Sequence, residues 1–239
     1  MGFSRERYER VLERIAGAAL KAGRAPGDIL LVSVTKTQPA SAVAEAIEGG
    51  VRDLGENRVQ EAREKRSELD PALASRARWH LIGSLQRNKA RQVPGLFDVV
   101  ESVDSLALAQ ELSRRAEGAA PLAAGAAPLE VFVQVNTGEE PQKGGARPGD
   151  VPGLLREFSG LAGIRATGLM CIPPLGKAPE ESRPHFRALR ELRDRAQEEG
   201  HSEITGLSMG MSADLEVAVE EGSTCVRIGT AIFGPRITP

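Results

Sequence analysis

Apolar residues near the start of the chain recur at helical spacing: Tyr8, Val11, Leu12, Ile15, Ala18 and Ala19. That spacing predicts an amphipathic helix ahead of everything else. From residue 30 onward, short apolar runs alternate with helical patterns. The runs cover 30–35, 51–55, 79–82, 97–100, 129–135, 164–170, 204–207 and 224–228, which makes eight candidate strands. The helical patterns cover 41–47, 58–69, 86–91, 105–116, 151–158, 179–199 and 213–220, and each such connector can cross over between parallel strands. Eight strands alternating with helices predict a (β/α)8 TIM barrel with an additional N-terminal helix, as one domain over residues 1–239. Strands two and seven are the weakest. The loss of either would leave an open doubly wound sheet as the competing architecture.

Two stretches break the alternation. Residues 118–128 are rich in Ala, Gly and Pro and read as a surface insertion. Residues 138–149 carry Gly138, Pro141, Lys143, Gly144, Gly145, Pro148 and Gly149 after Asn136 and Thr137. They read as a turn-rich loop, because the anion-cradling pattern GxxxxGK[ST] is missing.

Composition narrows the class. The 239 residues are 41% hydrophobic and 27% charged, with a net charge of −2 and a pI near 6.0. This offers no footprint for nucleic acid. No run approaches the about 20 apolar residues of a bilayer span, and the first ten residues are too charged for a signal peptide, so a cytoplasmic location is expected with no membrane partner. Cys171 and Cys225 lie in apolar runs without CxxC spacing and read as buried reduced thiols.

The chemistry starts at Lys36. It ends the first apolar run and precedes Pro39, which suits a first helical turn, so it sits at a strand-to-helix junction. In β/α proteins that is the functional edge. An amine held in such a pocket loses its proton readily and attacks carbonyls; a lysine snorkelling to solvent is the other reading. After strand seven come Ser208, Met209, Gly210, Met211 and Ser212, and Arg227, Gly229 and Thr230 close strand eight. Barrels bind phosphate at these two loops, where small residues, hydroxyls and helix starts meet the anion. Turn formation and helix capping, as by Ser212, would use the same residue types. Arg227 lies inside an apolar strand and cannot shed its charge, so it needs an acceptor, either a carboxylate or the ring nitrogen of a heterocycle. Lysine for an aldehyde, loops for a phosphate and arginine for a pyridine nitrogen together form a receptor for pyridoxal 5'-phosphate (PLP).

Further polar residues fall at strand ends: Glu56 and Asn57, His80 and Ser84, Glu101 and Ser102, and Asn136. His80 and Trp79 point to opposite sides of their strand, and His80 reads as a hydrogen-bonded core histidine. His185 and His201 read as solvated. No histidine pair has metal-site spacing, so no metal is expected, and neither a GxSxG elbow nor a GxGxxG fingerprint is present.

Five segments in order now carry a family likeness: 34–39 around Lys36, 55–60, 79–89, SMGMSAD at 208–214 and RIGTAIFG at 227–234. With them the chain resembles the pyridoxal phosphate homeostasis protein family, relatives of the amino-terminal barrel of alanine racemase, over nearly its whole length. The resemblance implies PLP held as a Schiff base on Lys36. It also implies phosphate near Ser208, Gly210, Ser212, Gly229 and Thr230, with Met209 in the same loop, Arg227 facing the pyridine nitrogen and Asn57 beside the ring. Leu81 departs from the Phe or Met usual at its position, and the 118–128 insertion is longer than is typical.

The racemase comparison also bears on catalysis. Only six residues follow Phe233, leaving no room for a racemase's second domain, and the one tyrosine, Tyr8, lies on the apolar stripe of the first helix. An arginine at the ring nitrogen keeps that nitrogen unprotonated and weakens the ring as an electron sink. These features favour a PLP carrier or regulator without catalytic residues, delivering cofactor to PLP-requiring apoenzymes as a monomer and indirectly balancing amino-acid and keto-acid pools. A racemase or lyase of low activity, or a Schiff-base aldolase acting on a sugar phosphate, are the alternatives.

Overall fold

The structure is a computed structural model that describes residues 2–119, 127–174, 176 and 178–235. Helix α1 (Arg5–Lys21) opens on Ser4, whose hydroxyl accepts the Arg7 amide proton, and buries Val11, Ile15, Ala18 and Ala19. The strands are β1 (Leu30–Val34), β2 (Asp53–Glu56), β3 (Arg78–Leu81), β4 (Val99–Val103), β5 (Leu129–Gln134), β6 (Ile164–Met170), β7 (Gly206–Ser208) and β8 (Cys225–Ile228). The intervening helices are α2 (Ala40–Glu48), α3 (Val59–Glu68), α4 (Pro71–Ala74), α5 (Leu106–Gly118), α6 (Val151–Phe158), α7 (Arg183–Glu198) and α8 (Leu215–Glu220). The short α9 (Thr230–Phe233) follows β8.

The strands pair in sequence order, all parallel, and β8 closes on β1 with Val32 opposite Arg227. This is the (β/α)8 barrel that the alternation predicts. Strand seven is the shortest, as its weak apolar run implies, yet it pairs on both sides. The segment at 86–91 forms a 3-10 helix over Arg87–Gln92 instead of a full α-helix. The insertion expected at 118–128 lies mostly outside the described residues. No helix among the described residues is long and apolar enough to cross a membrane.

Alternation along the strands sorts side chains into two layers. Leu54, Trp79, Val100, Val131, Val133, Leu169, Leu207 and Val226 join the main core between sheet and helices. The alternate positions point into the barrel, where Val99, Phe132 and Met170 form a small separate cluster. With them lie polar groups: Asp53, His80, Glu101, Ser208 and Arg227 are all buried.

Helix α1 braces the end of the chain. The Arg14 guanidinium pairs with Glu216 on α8 at 2.7 Å, and Arg7 Nε donates to the Ile232 carbonyl of α9 at 2.8 Å. Phe3 bridges the Tyr8 and Phe233 rings, with centroids 5.8 and 6.2 Å away. The added helix thus fixes the two helices that follow β7 and β8.

Candidate functional site

At the C-terminal end of the strands lies a cavity of about 260 Å³. Lys36, Asn57, Ser212, Arg227, Gly229 and Thr230 line it together, drawn from the ends of β1, β2, β7 and β8. Val34, Ile82, Ile172, Met211 and Phe233 give it apolar walls. Ile172 and Met211 keep 40% and 36% of their surface exposed, so the rim is apolar and open.

Lys36 sits in the turn after β1, half-buried. Its neighbour Thr37 adopts φ 64°, in the left-handed region that β-branched residues avoid. Hydrogen bonds compensate. The Thr37 amide donates to Glu61 Oε1, and Lys65 Nζ donates to the Thr35 carbonyl at 2.6 Å, to Glu56 Oε1 at 2.6 Å and to Glu61 Oε1 at 2.8 Å. The Thr35 hydroxyl adds a 2.6 Å bond to the same Glu56 oxygen. Burial drives the Glu56 carboxyl above its ordinary pKa, more strongly than Lys65 and Thr35 lower it. The expectation that Glu56 follows its strand is corrected: it ends β2 and is fully buried. Lys65 was not anticipated at all. Its signal was periodicity, since Val59, Ala62 and Lys65 recur every three residues and form the buried face of α3.

Asn57 follows β2 and is held by a close approach: a Cβ at Gly83 would fall 2.3 Å from the Asn57 carbonyl oxygen. Its side-chain Oδ1 is buried and has no hydrogen-bond partner among the described residues. On the opposite wall the Thr230 hydroxyl donates to Ser212 Oγ at 3.2 Å. Asp214 shapes the Ser212 loop by accepting from the Met211 amide at 2.7 Å and from the Ser182 hydroxyl at 2.9 Å. Gly229 caps α9, and a Cβ there would sit 3.2 Å from the Val34 carbonyl oxygen. The Ile232 and Phe233 amides of this short helix both donate to the Gly229 carbonyl at 2.9 Å.

Ser208, Met209 and Gly210 are placed elsewhere than the other six candidates. Strand β7 runs through Ser208, whose hydroxyl points into the barrel and donates to Glu101 Oε2 at 2.6 Å. Met209 is buried in the main core, and its amide bonds the Cys225 carbonyl. Gly210 adopts φ 98° with its Cβ position 2.5 Å from the Ala218 methyl, a packing role. The loop reaches the cavity only from Met211 onward.

Arg227 lines the cavity and also has the buried carboxylate neighbour that was one of its expected partners. Its guanidinium is at the cavity wall, while Nη2 donates to the Cys171 carbonyl at 2.9 Å and Nη1 to the Ser208 hydroxyl. Glu101 Oε2 lies 3.7 Å from Nη1. Glu101 was expected to follow its strand, but it lies within β4 and is fully buried. His80 bridges Glu101 and Asp53, with Nδ1 2.8 Å from Glu101 Oε1 and Nε2 3.0 Å from Asp53 Oδ1. Burial disfavours the imidazolium, but the two carboxylates outweigh it and push the His80 pKa up to about 9. Burial also opposes Glu101 ionisation, and His80, Arg227 and Ser208 together hold its carboxyl below the ordinary range.

Remaining expectations resolve simply. Cys171 and Cys225 are free and buried, and burial pushes the Cys171 thiol up to about 12. Lys143 pairs with Glu140 at 2.6 Å and donates to the Pro173 carbonyl at 3.0 Å, as befits an internally bonded loop. His185 and His201 are half-buried, where solvation was expected; His185 Nδ1 lies 3.2 Å from the Thr137 carbonyl oxygen. Among the described residues, no cluster of three or more His, Cys, Asp or Glu side chains is placed to hold a metal ion.

Chemically, the cavity offers an amine for a carbonyl, hydroxyls and a helix start for a phosphate, and a guanidinium for an acceptor atom. Residues 20–237 match the alanine racemase N-terminal domain family. A pyridoxal phosphate homeostasis protein of Aquifex aeolicus is 42% identical over 97% of this chain and 97% of its own length. Another from Pseudomonas aeruginosa is 43% identical over 97% and 95%. Among solved structures, PipY of Synechococcus elongatus PCC7942 with PLP bound is 38% identical, covers 94% of this chain and all of its own, and superimposes with a TM-score of 0.78. This chain therefore belongs to the alanine racemase N-terminal domain family and, within it, to the pyridoxal phosphate homeostasis proteins.

Proposed function

We propose that this chain binds PLP as a Schiff base on Lys36 and serves intracellular PLP homeostasis, holding the cofactor and passing it to apoenzymes. The observation that carries this reading is the convergence of Lys36, Arg227, Ser212, Gly229 and Thr230 on one cavity. The residues fit the group. The orphaned Asn57 Oδ1 offers a buried acceptor at the cavity wall, and Gly229 leaves space that a side chain would fill against Val34. When bound, PLP supplies an aldehyde reactive toward amines. Lys36 would attach to that carbon with loss of water, Ser212, Thr230 and the α9 start would hold the phosphate, and Arg227 would donate to the ring nitrogen. The other described lining groups are hydroxyls, amides and apolar side chains, which bind and orient rather than move protons. That composition supports a carrier over a racemase or lyase. The names of the relatives and the PLP-bound PipY structure support the same role.

The test is an absorbance titration with PLP, followed by borohydride reduction and peptide mapping, with Lys36→Ala as control. A visible band trapped on Lys36 is expected. A label elsewhere, or no band, would assign the cavity to another phosphate ligand such as a sugar phosphate. Sustained exchange of amino-acid α-protons by the loaded protein would replace the carrier reading with an enzymatic one.

A further inference from the structure

The buried groups beneath the cavity form an unbroken line across the barrel: Asp53 on β2, His80 on β3, Glu101 on β4, Ser208 on β7 and Arg227 on β8. Both His80 ring nitrogens face carboxylate oxygens. A neutral imidazole donates from one nitrogen only, so satisfying both contacts requires the imidazolium. Charges then alternate along the line, minus, plus, minus, plus, and end at the guanidinium on the cavity wall. Two thiols adjoin the line, Cys225 beside Ser208 and Glu101 and Cys171 beside Arg227, and burial holds both protonated.

Ser208 is the informative member. Its hydroxyl donates to Glu101 Oε2 and accepts from Arg227 Nη1, standing between two opposite charges that are 3.7 Å apart. We propose that Ser208 is a spacer and that Asp53, His80 and Glu101 form a buried positioning chain, which keeps Arg227 at the cavity wall, charge-balanced from behind and aimed at its ligand. Without the spacer, the guanidinium closes directly on Glu101 and withdraws from the wall. Without the His80 cation, Glu101 has Arg227 as its one charged partner and draws it inward by the same path. Arg227 then presents a weaker donor to whatever occupies the cavity. The function of this chain rests on the PLP reading, but its existence does not.

Two measurements separate these. In the protein without cofactor, ¹⁵N NMR of labelled histidine resolves three imidazoles, and the His80 signal is identified by its loss in His80→Gln. Both His80 nitrogens are expected at imidazolium shifts at pH 7.5; a neutral ring in the wild-type protein overturns the chain, whatever the variants do. PLP titration then compares wild type with Ser208→Ala, Glu101→Gln and Ser208→Thr, each checked for an unchanged melting profile. The first two are expected to weaken PLP binding tenfold or more and to shift the absorbance maximum of the bound cofactor, while Ser208→Thr, which retains the hydroxyl, restores affinity to within about threefold. Folded Ser208→Ala and Glu101→Gln proteins that bind PLP with wild-type affinity and spectrum would reduce the line to a structural element and refute the positioning role. If wild type binds no PLP, the proposed function fails. The chain is then decided by the histidine spectrum, expected to lose its imidazolium shifts in Glu101→Gln.

Discussion

Two lysines flank the turn after β1, and their settings are opposite. Lys65 approaches from α3, is buried, and gives its three protons to Thr35, Glu56 and Glu61. Lys36 projects from the turn itself, half-buried, into the cavity. A buried ammonium with three short acceptors is a structural cation, fixed where it is and unsuited to attack a carbonyl. A lysine on the wall of a cavity, beside the Ser212 and Thr230 hydroxyls, has the access that a nucleophile needs. Burial alone would have singled out Lys65; the difference is what each amine faces.

The sharpest break of that comparison is the pair Lys36→Ala and Lys65→Met. Lys36→Ala is expected to abolish borohydride-trapped PLP while changing folding stability by about 1 kcal/mol or less, since Lys36 is half-buried and lies outside the apolar core. Lys65→Met is expected to do the reverse. It leaves two carboxylates without their shared cation and costs about 3–5 kcal/mol in urea unfolding, yet protein that remains folded still forms the Lys36 label. Because burial already raises Glu56, the variant's penalty should shrink as the pH falls and Glu56 takes up a proton. A Lys65→Met protein as stable as wild type would show that the clip does not hold the turn.

The next test extends the contrast to a second cation with buried partners, His80. Its folded pKa of about 9 lies above the ordinary histidine value of 6.5. The stability it contributes is therefore fully present below about pH 6.5 and is lost as pH rises through 9, at up to about 1.4 kcal/mol per pH unit. The cysteine thiols add a loss of the same sign only from about pH 9 upward, because their folded values are raised from there. Urea unfolding at pH 6, 7.5 and 9 should thus show a decline in wild type and a flat profile in His80→Gln. Parallel profiles would mean that the imidazole is not charged in the folded state.

These buried charges also mark where sequence reading failed. Apolar runs located all eight strands, and turn chemistry placed the β7 and β8 loops near Lys36. The same logic ended strands β2 and β4 too early, because Glu56 and Glu101 look like solvent-facing ends. Each is tolerated in a strand only because a cation and a hydroxyl from distant segments meet it: Lys65 with Thr35, and His80 with Ser208. Such pairings are long-range and leave no local pattern. Ser208 went astray for the same reason. Its small polar side chain suits a phosphate loop in sequence, but one more residue of strand turns it toward Glu101. Lys65 was recoverable, since it shares a helical face with Val59 and Ala62.

The smallest effect belongs to Thr37, which joins the two lysines' settings: it follows Lys36, and its amide is held by the Glu61 carboxylate that also binds Lys65. A β-branched residue at φ 64° costs about 1–2 kcal/mol relative to ordinary backbone. Glycine would remove that cost and return about 0.5–1 kcal/mol to the unfolded chain as entropy. Thr37→Gly should therefore stabilise the protein by up to about 1 kcal/mol. If the strained turn is what aims Lys36 into the cavity, the same change weakens PLP binding a few-fold and slows capture of the label. A gain in stability with unaltered binding would leave aim to the Lys65 clip alone, and a loss of stability would show that Thr37 makes a contact worth more than its strain.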